Sequence, residues 1–319
     1  MTANISPQLE KRLTMAVERM PAFPQSVQSV IELTRRIDCL PKDLVAVIEK
    51  DPVMTLKILR TVNSAFYGIQ EKISSVGQAS VYLGINTIKN LALSFAAFGV
   101  MPRFSSQSFN IQAYLQHSLV VAVLCRILGE KFAANEVDPT DCYIVGLLHD
   151  FGKVVFARFL SAEFSRALGN ARDLGEPLHD AERYVIGADH AWVGALLAKR
   201  WQFSEDLVNT IGEHHNLAAE ATPLLDCLRM ADAISRRRQL GDAGNAWRDG
   251  EMKTLPKRFG GDMHGVMDEI GELHSVLREV EAFTGALAGE EDKEEGKPLR
   301  STAKSTRGGF VASARRVRR

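Results

Sequence analysis

Cysteine is scarce. Four occur in 319 residues, Cys39, Cys125, Cys142 and Cys227, and none are paired at CxxC spacing. Three of them sit among Leu, Val and Ile in helical patterns, so they read as small buried thiols in a reducing cytoplasm rather than as a disulfide framework. An excess of charge is also lacking: Lys+Arg and Asp+Glu are both 39, and nothing in that balance calls for a polyanionic partner. The start, MTANISPQLEKRL, has no basic stretch followed by an apolar one, and no run approaches the roughly 18 apolar residues of a membrane span. A soluble cytoplasmic protein without membrane attachment is expected. Strict apolar–polar alternation over a strand length is missing, as are a glycine-rich phosphate loop and a repeat at solenoid spacing, which disfavours parallel-sheet nucleotide folds.

What the sequence has in quantity is helical periodicity. Apolar residues make up 45% of the chain and recur at intervals of three and four, which predicts an all-α protein. Short helices are expected near 8–20, 25–37, 42–50, 52–65, 75–83 and 86–100. Asp51-Pro52, Ser75 and Asn86 offer starts, and Gly68 and Gly84 offer stops. Met101–Asn110 combines a proline with three serines and marks a junction. A second helical set runs from about Ile111 to Leu240. A glycine-rich polar loop, 241–261, then precedes one amphipathic helix, roughly Met263 to Leu287. The division expected is an N-terminal helical subdomain over 1–105, a second helical subdomain over 106–240, a loop and C-terminal helix over 241–288, and a tail over 289–319. The last twenty residues carry seven basic side chains and no acidic ones, and that tail is expected to be disordered.

Six of the eight histidines lie between His117 and His215. By helical spacing, His117 shares a face with Tyr114, Val121 and Leu124, and His190 with Ile186, Val193 and Leu197, so both point inward. His149-Asp150 ends the apolar run YIVGLL, His214-His215 follows Ile211, and Asp232 follows Leu225 and Leu228. Burying so many polar groups costs about 1 to 3 kcal/mol each unless each finds a partner, and a shared divalent cation would satisfy them together. Imidazole nitrogens with carboxylate oxygens suit iron, manganese or zinc, as one ion or two. Lys153, four residues after His149, is placed to meet a phosphate oxygen or a leaving group. Each of these residues alone has a plainer reading: a core histidine bonded to backbone or water, a solvated lysine. His179, His264 and His274 are assigned to surface or local structure. Asn63 and Ser64 sit at a helix end where their side chains can bond free backbone groups, so with Tyr67 they read as architectural ahead of the alternative, an interface role.

GLLHDFGK at 146–153, with His117 upstream and Asp232 downstream, resembles the H…HD…D signature of HD-superfamily metal phosphohydrolases. MPAFPQSV at 20–27, LVAVIEKDPVMTLKILRTVNSAFYG at 44–68, ISSVGQASVYLGINTIKNLAL at 73–93 and DHAWVGALLAKRW at 189–201 resemble successive blocks of the HDOD domain. That resemblance covers about two-thirds of the chain. It implies an all-α HDOD fold, in which an N-terminal bundle precedes an HD-like subdomain. It also implies bacterial signalling, with partners such as kinases, response regulators or cyclic-di-GMP pathway proteins. Relative to the HD-GYP phosphodiesterases, the set His117, His149, Asp150, Lys153, His190, His214, His215 and Asp232 is matched. The glutamate one turn before the first histidine falls at Ala113, however, and NLAAEATPL follows His214-His215 where those enzymes carry HHExxDGxGYP. Cyclic-di-GMP hydrolysis is accordingly not expected.

Three functions follow as expectations. The first is a signal-transduction protein with a retained metal site, acting through protein partners. The second is a metal-dependent phosphohydrolase acting on a phosphodiester or nucleotide, with Asp150 and Lys153 as its catalytic groups. The third, a nucleic-acid contact, rests on the basic tail alone.

Overall fold

In a computed structural model, the described residues are 5–34, 40–64, 66–101, 109–244, 256–261, 263–271, 273, 276–278, 280–281 and 283–284. The first set of helices is α1 (Pro7–Glu18), α2 (Gln25–Thr34), α3 (Pro41–Glu49), α4 (Pro52–Val62), α5 (Val76–Leu83) and α6 (Ile85–Gly99). The second is α7 (Ile111–Phe132), α8 (Pro139–Leu148), α9 (Phe151–Phe159), α10 (Ser161–Leu174), α11 (Leu178–Val185), α12 (His190–Arg200), α13 (Glu205–Glu213) and α14 (Pro223–Arg237). A short α15 (Met263–Ile270) follows, and no strand occurs among the described residues, so the fold is all-α.

Local chemistry explains most boundaries. Asp51 accepts from the amides of Val53 and Met54, and Pro52 opens α4 with a φ already helical. Ser75 accepts from Gln78 N and starts α5. Two expected signals are corrected. Asn86 does not open α6, which begins at Ile85 after Gly84, a glycine whose φ of +79° both stops α5 and sets up the next helix. Gly68 does not stop α4, which ends at Val62; Gly68 lies in the turn beyond, at φ +59°. Asn63 holds that turn, its amide donating to Leu59 O and Ile73 O at 2.8 Å while its Oδ1 accepts from Ile73 N at 2.8 Å. The single helix expected over Met263–Leu287 is broken: α15 ends at Ile270, and Gly271 takes φ +80°. Cys39, His274, most of the junction (102–108), the middle of the expected loop (245–255) and the tail from 285 onward lie outside the described residues.

The two sets of helices share one core. Buried residues from Leu13 to Phe283 form a single apolar cluster, α1 packs on α9 and α12, and α6 packs on α8. Arg200 reinforces the crossing by donating to the carbonyls of Val17 and Met20, as Trp201 Nε1 does to Pro21 O. At the centre lies α7, packed on α8 and α14. No described helix has an uninterrupted apolar run of membrane-span length, but by length and mean composition α7 could cross a bilayer. However, 67% of its most apolar window is buried by protein, which marks it as the core helix. Cys125, Cys142 and Cys227 are buried free thiols on α7, α8 and α14.

Candidate metal centre

Five stretches bring their polar side chains to one place in this core. His117 comes from the second turn of α7, Asp232 from α14 and His190 from the first position of α12. His149 and Asp150 form the corner between α8 and α9, and His214-His215 follows α13 directly. Ile186, expected to share a helical face with His190, precedes α12 and belongs to the turn after α11. Two glycines allow the approach. A Cβ on Gly146 would stand 2.6 Å from Ala122 Cα on α7, and one on Gly152 would stand 2.0 Å from His190 O. Only a bare backbone lets α8 close on α7 and α9 close on α12 there.

His117, His149, Asp150 and His190 are at most 2% exposed, His214 and Asp232 are buried, and His215 is half-buried. The two oxygens of Asp150 face opposite ways. Its Oδ2 lies 3.5 Å from His117 Nε2 and 3.4 Å from His149 Nε2. Its Oδ1 lies 3.0 Å from His190 Nε2 and 3.9 Å from His214 Nε2. Two ligand-capable groups therefore meet at one carboxylate, His117/His149/Asp150 and Asp150/His190/His214/His215, each with its donor atoms within 4.8 Å of one another. Asp232 joins the edge of the first group, its Oδ1 3.4 Å from His117 Nε2 and its Oδ2 held by Arg236 at 2.9 Å.

The tautomers follow from hydrogen bonding. His149 Nδ1 donates to Gly146 O at 2.8 Å and His214 Nδ1 to Ile211 O at 2.7 Å, because a carbonyl only accepts. Ser235 Oγ gives its proton to Leu240 O, so at 3.0 Å it accepts from His117 Nδ1. His190 Nδ1 faces the Glu182 carboxylate at 2.5 Å. In the neutral form of each ring, then, the Nε2 lone pair points into the cluster. His117 Nε2, His149 Nε2, His214 Nε2 and Asp232 Oδ1 have no hydrogen-bond partner. Four orphaned acceptors in a dry core are costly unless a cation takes their lone pairs, and the donor set fits a divalent transition metal. The cluster could thus hold a metal.

The electrostatics agree. Burial lowers the His149 ring and holds the His214 and His215 rings well below the usual imidazole range, keeping them neutral. His190 is the exception: burial works against its charge, but the Glu182 and Asp150 carboxylates outweigh it and raise its pKa to about 9. Burial would raise the Asp150 pKa, yet His149, Lys153 and His190 together hold it well below the carboxylate range.

Lys153 is fully buried, which overturns its reading as a solvated charge; its Nζ lies 2.7 Å from Asp150 Oδ2 and neutralises that carboxylate. His179 is corrected as well. Assigned to surface or local structure, it is 8% exposed and stacks on His215, a residue of the cluster, at 4.1 Å between centroids and 17° between planes. His264 is exposed, as expected. Residues absent from the expected set are Glu182, Ser235 and Arg229, the last donating to the carbonyls of Glu213, His214 and Asn216 and so fixing the bend that carries the paired histidines. Glu182 had a legible signal, since it lies on the Leu178–Val185 stripe of a short amphipathic helix. Arg229 had none. Where a further glutamate would fall, at Ala113, the chain after α14 closes the space: Asp242 N donates to Ala113 O at 3.0 Å, and the Gly241 backbone lies against His117.

The HDOD domain profile matches residues 20–217, ending before Asp232. An uncharacterised protein of Treponema pallidum is 28% identical over 240 residues, 73% of this chain and 46% of that protein. Ribonuclease Y of Oleidesulfovibrio alaskensis is 31% identical over 127 residues, 40% of this chain and 19% of that enzyme. The chain thus spans about half the length of the first relative and about a fifth of the second. Among solved structures, an HDOD domain protein of unknown function from Geobacter sulfurreducens superposes with a TM-score of 0.68 at 26% identity, over 86% of this chain and 98% of that one.

Proposed function

The chain belongs to the HDOD domain family, and from that premise we propose that it is a bacterial signal-transduction protein of the cytoplasm. In this reading it holds one or two divalent transition metals, iron, manganese or zinc. It works through protein partners of the kinase, response-regulator or cyclic-di-GMP type. One observation carries this reading. The inward-facing donor set is complete enough to bind metal, yet His117, His149, Asp150 and His190 are at most 2% exposed. A centre so enclosed suits a metal that organises the core or senses a state of the protein better than one that meets a phosphodiester. His117, His149, Asp150 and Asp232 would hold one cation; Asp150, His190, His214 and His215 would hold the other.

A second reading, metal-dependent phosphohydrolysis, is favoured by the way Asp150 offers one oxygen to each donor group. When bound, a cation pair would supply Lewis-acid polarisation of a phosphoryl oxygen. Asp150 would orient that pair, and Lys153 would have to leave Asp150 to counter charge on the phosphate. The two readings separate in one experiment. Metal content of the freshly purified protein is measured, followed by hydrolysis of bis(p-nitrophenyl) phosphate, RNA and cyclic dinucleotides by wild type and Asp150→Ala. Signalling predicts bound metal and no turnover above the variant. Turnover that disappears in Asp150→Ala would establish the enzyme instead.

A further inference from the structure

Helix α11 stands behind the second donor group and touches both of its outer imidazoles. Glu182 is fully buried, and its Oε2 accepts from His190 N at 2.9 Å and from His190 Nδ1 at 2.5 Å. One turn earlier, His179 stacks on His215. The two imidazoles so held bring their Nε2 atoms to 2.9 Å from each other. The first group is supported differently. His117 is backed by the Ser235 hydroxyl and His149 by the Gly146 carbonyl, both uncharged. His214, within the second group, is backed by the Ile211 carbonyl. Of these four anchored rings, His190 alone has a carboxylate behind it.

Stability alone does not account for Glu182. A buried carboxylate is expensive unless both oxygens are satisfied and a cation lies near, and Glu182 Oε1 has no hydrogen-bond partner. Among the described residues its ion pair is with the His190 imidazole, whose far nitrogen can carry a proton or a metal. A carboxylate behind a metal-ligating histidine fixes the ring rotation and makes the opposite nitrogen a stronger donor. Here it does so at the first residue of α12, where it also takes a backbone amide that the helix leaves free.

We propose that Glu182 is the positioning residue of the second cation position, the one built from Asp150, His190, His214 and His215, and that the first position does not depend on it. This rests on the metal-centre reading above. The full-length wild type, Glu182→Gln and Glu182→Ala are titrated with Mn2+, and bound manganese is read by elemental analysis and electron paramagnetic resonance. Wild type is expected to bind two ions with an exchange-coupled signal. Glu182→Ala should keep one ion with the signal of an isolated Mn2+, its second position weakened about 10- to 100-fold. Glu182→Gln, which retains an acceptor without the charge, should fall between them, and it decides the matter if the alanine variant does not fold. The retained first ion reports that the core is intact. Two ions at wild-type affinity in both variants would overturn the role of Glu182, as would loss of both ions from a folded variant. Wild type that takes up fewer than two ions would instead sink the two-position reading beneath it.

Discussion

Each of the rings His117, His149, His190 and His214 has its Nδ1 committed to a fixed acceptor, and the chemistry of the centre follows from what remains on the other side. In metal-free protein the same commitments set an acid limit. Burial depresses His149, His214 and His215, and burial with the nearby His190 charge depresses His179 to about 3. The unfolded chain takes up protons at these rings near the ordinary imidazole pKa of about 6.5, while the folded chain does not. Stability therefore falls as pH drops below that value, and the His179 share keeps falling down to about pH 3. His190 acts oppositely. Raised to about 9, it contributes fully below about pH 6.5 and loses its contribution as pH rises through 9. Below pH 6.5 His190 is protonated in both states and adds no slope, so the depressed rings alone set the trend and the melting temperature of chelated protein should drop as pH falls from 6.5 to 5. A profile flat across that interval, measured by circular dichroism, would contradict neutral burial of these rings.

At the scale of elements, the centre depends on helices approaching more closely than side chains permit. The α9–α12 contact is one such approach, since no Cβ fits 2.0 Å from the His190 carbonyl. Gly152→Ala should force α9 off α12, costing about 3 kcal/mol in denaturant unfolding, at the upper end for overpacking, and separating Asp150 from His190. Gly169→Ala is the matched control: it lies in α10 with nothing within 4 Å of the added carbon, and it should be neutral or slightly stabilising. Equal effects of the two substitutions would show that helix propensity, not approach, governs position 152.

For the molecule as a whole, one core runs through both sets of helices, with the polar cluster embedded in it between α7, α8, α9, α12 and α14. A cation that binds only the folded state stabilises it by mass action, about 2.7 kcal/mol at a hundredfold excess over Kd. Removing metal with a chelator should therefore lower the melting temperature of wild type by several degrees and leave Asp150→Ala unmoved, and re-addition of Mn2+ should restore wild type alone. An unchanged wild-type melt after verified metal loss would mean that the cluster is held by protein contacts.

Much of this was readable along the chain, because helices are local objects. Apolar residues at intervals of three and four, the caps at Asp51 and Ser75 and the turn at Asn63 act within a few residues, and their outcome does not wait for the rest of the fold. His117, His149-Asp150, His190, His214-His215 and Asp232 were legible as inward-facing for the same reason. Tertiary structure alone decided what stands behind them and how the two oxygens of Asp150 are shared. Glu182 meets His190 only once α11 lies behind α12, and His179 meets His215 only across two elements. Lys153, placed by its spacing on the His149 face and read alone as a solvated lysine, turns out to be buried against Asp150. Hydrogen bonds and charge act through distance in space, and residues far apart in the chain acquire those distances only when the core has packed.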